Sequence, residues 1–203
     1  TSAKVDPKSI SDRKCFLCIE NLPVEQKGIR YNNKYIILCN PFPIFPTHFT
    51  LTYKEHQPQR IIDTFNDMLD LSKDISKYYS VIYNGPRCGA SAPDHLHFQA
   101  GNKFFMAIDD EFHQIKNEYG KVIYEDDNLS FYAIDDGVRK FVSIESLDKK
   151  LVVKTFDKFY KIYSELMNEE QEPMINLVSF YEEEYGWRVI IFLRAKHRPA
   201  VFF

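Results

Sequence analysis

His95 and His97 stand two residues apart in the stretch SAPDHLHFQAG (91–101), and Gln99 follows two further on. Apolar Leu96, Phe98 and Ala100 fill the gaps. An extended chain repeats every two residues. The spacing therefore predicts a strand with His95, His97 and Gln99 on one face and the apolar set on the other. A neutral imidazole is a competent nucleophile toward phosphorus near pH 7, because its pKa leaves a lone pair free. The preceding loop, NGPRCGAS (84–91), holds Asn84, Ser91 and the backbone N–H groups of Gly89 and Ala90. Such donors suit the charge that develops on a transferring phosphoryl group. Gln99 adds an uncharged donor, so the pattern points to His97 attacking a phosphate whose oxygens its neighbours hold. The alternative is two histidines satisfied by backbone carbonyls. On either reading partners are required, since burying these groups unpaired would cost about 1–3 kcal/mol each.

The rest of the chain must place that strand. With 203 residues, 44% hydrophobic and 27% charged, it can bury a core as one large domain or two small ones. A net charge of -3 gives no global attraction for nucleic acid or anionic membrane, so a substrate phosphate has to be held by local donors. There is no apolar run long enough for a transmembrane helix, and TSAKVDPKSISDRK at the start lacks the apolar stretch of a signal peptide. A cytoplasmic protein is the expectation. The chain begins without Met and ends on AVFF, so both ends are expected to be incompletely represented.

YIILCN (35–40) and THFTLTY (47–53) read as strands around a proline-rich turn. A helix is expected from Pro58, with Ile61, Phe65, Met68, Leu69, Ser72, Ile75 and Tyr79 on one face. SVIYNG (80–85) is a further strand. The second half repeats the element order without the residues: strands at 129–135, 138–145, 174–181 and 186–195, and a helix at 147–167 with Leu151, Val152, Phe156, Phe159, Tyr163 and Leu166 in phase. GWRVIIFLRA falls where DHLHFQA falls in the first half, without paired histidines. The expected class is α+β, an antiparallel sheet with packed helices, in two tandem halves, 1–105 and a degenerate 106–203.

At HLHFQA the sequence resembles the histidine-triad (HIT-like) superfamily. The branch is that of galactose-1-phosphate uridylyltransferases, diadenosine tetraphosphate phosphorylases and GDP-L-galactose phosphorylases, whose signature is H-x-H-x-Q. CFLC and YIILCNPFPIFPTHFTLTYKEH are similar to the family's opening. The resemblance covers residues 15–101 by motif and the second half by element order and WRVIIFLRAKHRP. It implies that His97 takes a nucleoside monophosphate as a covalent phosphoramidate, that Gln99, Asn84 and Ser91 contact phosphate, and that Asn40 stands where relatives bond the ribose hydroxyls. It also implies a nucleotide or nucleotide-sugar substrate. Gln at the third position cannot donate a full proton. The site then suits leaving groups that are already stable anions, which favours transfer to a phosphate acceptor over hydrolysis. A HIT-type hydrolase and a non-catalytic nucleotide-binding or zinc-stabilised domain are the alternatives. Oligomeric state is left open, a monomer with an internal pseudo-dimer being one arrangement.

Cys15 and Cys18 have the C-x-x-C spacing of tetrahedral zinc, and His48 and His95 complete a Cys2His2 set that the resemblance supports. Such a zinc would be structural, with no ligand position open. Buried or redox thiols are the other reading of the pair. Cys39 and Cys88 are expected to be small buried hydrophobes. His56, His113 and His197 are expected at the surface, Glu182, Glu183 and Glu184 in a solvated turn, and Glu169, Glu170 and Glu172 around a helix end.

Overall fold

The computed structural model describes residues 7–168 and 171–196. Helix α1 (Pro7–Asp12) and a 3-10 turn (Ile19–Asn21) lead into strands β1 (Gly28–Tyr31), β2 (Tyr35–Cys39) and β3 (His48–Tyr53). Helix α2 (Phe65–Asp74) and strands β4 (Tyr79–Asn84) and β5 (His97–Asn102) follow. The same order then recurs as α3 (Ala107–Tyr119), β6 (Gly120–Glu125), β7 (Ser130–Asp135), β8 (Lys140–Ser146), α4 (Lys149–Met167), β9 (Ile175–Glu182) and β10 (Gly186–Leu193). The strands form one ten-stranded sheet, β1-β2-β3-β5-β4-β9-β10-β8-β7-β6, antiparallel at every ladder. From either edge the order is first, second, third, fifth, fourth strand. The two runs meet where β4 pairs with β9, Val81 opposite Ser179 and Asn84 opposite Asn176.

The fold is thus the α+β antiparallel sheet that the patterning predicts, with an extra strand opening each run and with α3, none of which the element reading anticipated. The β1–β2 hairpin turns through Asn32 and Asn33 at φ 46° and 53°, a left-handed geometry that Asn tolerates. On one face of the sheet Leu51, Val81, Tyr83, Leu96, Phe98, Leu177, Val189 and Ile191 pack under α2 and α4. There Phe65 of α2 stacks on Phe156 of α4 at 3.8 Å. On the other face Ile108, Phe112 and Ile115 of α3 cover Ile134, Phe141, Val178, Phe180 and Ile190. That cover lies over the second run. On the same face of the first run the sheet carries polar side chains instead, among them Thr50, Thr52, His97 and Gln99.

Three expectations about helices need correction. The helix begins at Phe65, not at Pro58, because the backbone before it is committed elsewhere: Ile61 N–H donates to Glu172 Oε2 at 2.6 Å. Glu172 does not decorate a helix end either. It is 6% exposed and also accepts from the Tyr83 hydroxyl at 2.5 Å, joining the lead-in to α2, strand β4 and the segment before β9. Glu169 and Glu170 lie outside the described residues. Leu166, expected on the packed face of α4, is 76% exposed, whereas Val152 and Phe156 are buried as expected.

Burial pushes the Glu172 carboxyl up to about 7, outweighing the Tyr83 hydroxyl, the Ile61 N–H and Arg60, which favour the carboxylate; Asp63 adds to the rise. Tyr160 and Cys88 also face it. A group whose pKa rises on folding stabilises fully below its unfolded value, here about 4.5, and that contribution is lost as pH rises through about 7. At about 1.4 kcal/mol per pH unit the loss is about 3 kcal/mol. Glu172→Gln, neutral at every pH, is expected to gain on wild type by about 2–3 kcal/mol between pH 5 and pH 8. Urea unfolding at the two pH values measures it, and a pH-independent gap would refute the linkage.

Candidate functional site

Strands β3 and β5 build the polar face. Thr52 lies opposite His97 and Thr50 opposite Gln99, so these side chains share one side while Leu51 and Phe98 point into the core. The strand itself begins at His97, and His95 sits just before it, off the ladder. Strands β4 and β5 pair only as far as Ile82 opposite Gln99. Beyond that rung they part, and the buried carboxamide of Gln59 fills the gap. Its Nε2 donates to the carbonyls of Asn84 (3.0 Å) and His97 (2.9 Å), and His97 N–H donates to its Oε1 (2.8 Å). One side chain thus replaces the missing rung and fixes the backbone of His97. Gln59 went unnoticed in the sequence because nothing in its spacing marks it.

His97 is 5% exposed. Its Nδ1 lies 2.8 Å from the His95 carbonyl, which can only accept, so Nδ1 carries the proton and Nε2 keeps a lone pair. Burial lowers the His97 pKa to about 4 despite the opposing carbonyl bond, so the ring is neutral at physiological pH.

His48 does not join the cysteines, which corrects the expected ligand set. Ile44 N–H donates to its Nδ1 at 3.3 Å, so the proton sits on Nε2, which donates to Gln99 Oε1 at 2.8 Å. Burial lowers the His48 pKa, so the ring is biased to the neutral form this relay requires. The relay turns the amide of Gln99 so that its NH2 is left for another acceptor. Asn40 lies close by, with Nδ2 donating to Thr50 Oγ1 (3.1 Å) and Oδ1 accepting from Phe42 N–H (2.8 Å), so both ends of its carboxamide already bond protein. In the loop, Gly89 turns the chain at φ +107°. Ala90 is buried and Ser91 exposed. Among the described residues no acceptor takes the N–H groups of Gly89, Ala90 or Ser91.

Cys15, Cys18, His95 and His56 come together, with one ligand atom from each inside a 4.8 Å circle. His56, expected merely at the surface, is exposed and takes the place assigned to His48; its Nδ1 is 3.2 Å from Cys18 Sγ. His95 Nε2 donates to the Tyr53 carbonyl (2.7 Å), which leaves Nδ1 as the lone-pair atom facing Cys15 Sγ (3.3 Å) and Cys18 Sγ (3.5 Å). Such a carbonyl bond on the far nitrogen is how metal-binding histidines are oriented. Burial raises the Cys15 thiol, but the His95 ring and the Leu17 and Cys18 N–H groups outweigh it and bring it down to about 6. Cys18 is pushed up to about 11, by burial first and then by Cys15. Two thiols and two imidazole nitrogens at this spacing fit a tetrahedral divalent ion. Of the remaining residues, Cys88 is buried as expected, whereas Cys39 is exposed, since it ends β2 with its side chain outward. His113 is exposed and contacts Arg188, and His197 lies outside the described residues.

Residues 1–102 match a protein family described only as a domain of unknown function, DUF4922. The chain belongs to that family. No curated protein matches it. Among solved structures it is similar to a DUF4931 family protein from Bacillus cereus ATCC 10987, with a TM-score of 0.57 and 16% identity over 87% of this chain and 89% of that one. It is also similar to the yeast Ap4A phosphorylase Apa2. The complex with AMP gives a TM-score of 0.51 at 16% identity, over 80% of this chain and 57% of that one. The complex with Ap4A gives 0.51 at 17%, over 81% and 58%. The chain therefore spans little more than half the length of the phosphorylase. At these identities the likeness is one of fold, and the fold is HIT-like.

Gln59→Leu would strand three buried backbone groups beside His97. At about 1 kcal/mol or more for each orphaned group, it is expected to cost about 3 kcal/mol, several degrees in Tm. Denaturant unfolding measures this, and a cost under about 1 kcal/mol would show that strands β4 and β5 re-pair without the amide.

Proposed function

We propose that the chain is a nucleotidyltransferase or nucleotide phosphorylase that works through a nucleotidyl-histidine. The observation that carries this reading is the His97 ring, buried and neutral, with Nδ1–H tied to the His95 carbonyl and Nε2 left as a nucleophile. Nε2 attacks the α-phosphorus of a nucleoside diphosphate sugar or dinucleoside polyphosphate. The P–N bond forms as the P–O bond to the leaving phosphate breaks, and that phosphate departs as an anion without needing a proton. An acceptor, phosphate or a sugar phosphate, then attacks the same phosphorus, the P–N bond breaks, and the lone pair returns to Nε2. Gln99 NH2, oriented by His48, and the N–H groups of Gly89, Ala90 and Ser91 hold the phosphoryl oxygens. Asn84 and Asn40 flank the site, Asn40 facing the ribose. Gln99, lacking an acidic proton, favours transfer over hydrolysis. The structural likeness to a phosphorylase solved with AMP and with Ap4A supports a nucleotide donor.

Cys15, Cys18, His56 and His95 would hold a structural zinc. Bound there, zinc supplies no chemistry to the substrate; it clamps the chain just before His97. Metal-bound thiols fit a cytoplasmic location, and among the described residues no helix is long and apolar enough to cross a membrane. We read the chain as two HIT-like halves joined near residue 105, supported by the matching strand orders. Strand β10 carries no histidine where β5 carries His97. At the strand end corresponding to Thr52 and His97, the ladder of β8 and β10 sets Glu145 opposite Arg188. That pair is closed at 2.8 Å and capped by Lys116 of α3 at 2.6 Å.

Incubated with diadenosine tetraphosphate, UDP-glucose or GDP-mannose, wild type is expected to gain the mass of one nucleoside monophosphate, labile to acid; His97→Ala is expected to gain none. Hydrolysis of a donor without any adduct would assign a hydrolase. Thermal stabilisation by nucleotide without adduct or turnover would assign a binding protein. The purified protein is expected to carry about one zinc per chain. Cys15→Ser and His56→Ala should lose it by mass spectrometry, while His48→Ala should keep the zinc and form adduct at least tenfold more slowly. Zinc loss in His48→Ala would return His48 to the ligand set.

A further inference from the structure

The loop after β4 is fastened from the side of the second half. Asn176, opposite Asn84 in the last rung between β4 and β9, accepts from Gly85 N–H through Oδ1 at 3.0 Å and donates from Nδ2 to the Cys88 carbonyl at 3.1 Å. One carboxamide thereby closes the turn Gly85–Cys88, within which Cys88 N–H donates to the Gly85 carbonyl at 2.9 Å. The Ile175 carbonyl takes a second share of Gly85 N–H at 3.2 Å. Arg87 donates to the Glu172 carbonyl at 3.0 Å. The approach is close: a Cβ on Gly85 would stand 2.5 Å from the Ile175 carbonyl oxygen, so only glycine fits. The chain leaves this clamp directly into Gly89, Ala90 and Ser91.

We infer that Asn176 is a positioning residue: the second half takes part in the reaction by fixing, through its side-chain amide, where the phosphate-holding N–H groups of residues 89–91 stand. The inference rests on the reading of His97 as the nucleotidyl acceptor. The Asn176 carboxamide offers both the acceptor and the donor that this turn uses; a carboxylate keeps the bond to Gly85 and loses the one to Cys88. Donors aimed at developing charge act through their exact placement, so a loosened loop should slow the chemical step more than it weakens donor binding.

The test uses the full chain with its metal and two readouts. In single-turnover adduct formation, Asn176→Ala is expected to lower the maximal rate at least tenfold while the donor concentration for half-maximal rate changes less than threefold. Asn176→Asp should recover part of that rate. In hydrogen–deuterium exchange without nucleotide, the segment 85–91 should exchange at least tenfold faster in Asn176→Ala, with 97–102 and zinc content unchanged. A maximal rate within twofold of wild type, or unchanged exchange over 85–91, overturns the inference. If wild type forms no adduct with any donor, the proposed function fails, and exchange alone decides the clamp. If Asn176→Ala exchanges faster throughout because it unfolds, Asn176→Asp decides: faster exchange confined to 85–91 supports the clamp, and wild-type exchange there overturns it.

Discussion

Strands β4 and β5 stop pairing at Ile82 opposite Gln99, two residue pairs before the position where Asn84 and His97 would have closed on each other. A continued ladder would hold the strand ends together and leave no opening for a ligand. Parting them exposes backbone N–H and C=O groups in a buried place, where each unpaired group is costly. Two side-chain amides meet that demand. Gln59 stands between the separated strands and serves Asn84 and His97. Asn176 stands on the other side of β4 and serves Gly85 and Cys88. The open end of the sheet is thus as fully bonded as a closed one, and the loop can leave it in a fixed direction.

The two runs of strands share an order but differ in what covers them. Over the second, α3 lays Ile108, Phe112 and Ile115 on the sheet and half-covers an ion cluster of Glu145, Lys116 and Arg188, whose guanidinium also lies 4.0 Å from the centre of the Phe112 ring. Over the first, the helix ahead of the strands is only the six residues of α1, and the same face stays polar. A sheet built this way packs one whole face and half of the other, and leaves the remaining half polar. The central ladder between β4 and β9 makes the halves mechanically one body, and Glu172 ties the lead-in of α2 to it from the opposite face.

The local spacings were more legible in the sequence than the assembly. H-x-H-x-Q at period two and C-x-x-C reveal themselves because local geometry dictates what their neighbours can do. The choice between His48 and His56 was not local. His48 opens β3 on the Gln99 face, whereas His56 follows the end of β3, where the chain swings back past Cys18 and His95. Their separation along the chain says nothing about that swing. Helix α3 did carry a signal, with Ile108, Phe112 and Ile115 at i, i+4 and i+7, but its charged residues dominate the stretch. Strands β1 and β6 are edge strands with mostly exposed side chains, so neither shows the alternation that marks a half-buried strand. Glu172 looked like one more acid in an acidic run, and only its bonds to Ile61 and Tyr83 set it apart.

For His48, His95 and His97 the backbone decides which ring nitrogen carries the proton. Tyr53 offers a carbonyl to Nε2 of His95, so His95 presents Nδ1 to the cysteines. His95 in turn offers its own carbonyl to Nδ1 of His97, so His97 keeps its lone pair on the opposite nitrogen. Ile44 offers an N–H instead, so His48 must carry its proton on Nε2, where it meets Gln99. A carbonyl fixes a lone pair on the far side of the ring, and an N–H fixes a proton there. From identical side chains the fold thus obtains a lone pair turned to two cysteines, a lone pair on a buried ring and a hydrogen-bond donor to an amide. The first two are chained, because His95, which faces the cysteines, also supplies the carbonyl that orients the His97 ring. Holding His95 in place therefore holds the tautomer of His97 as well.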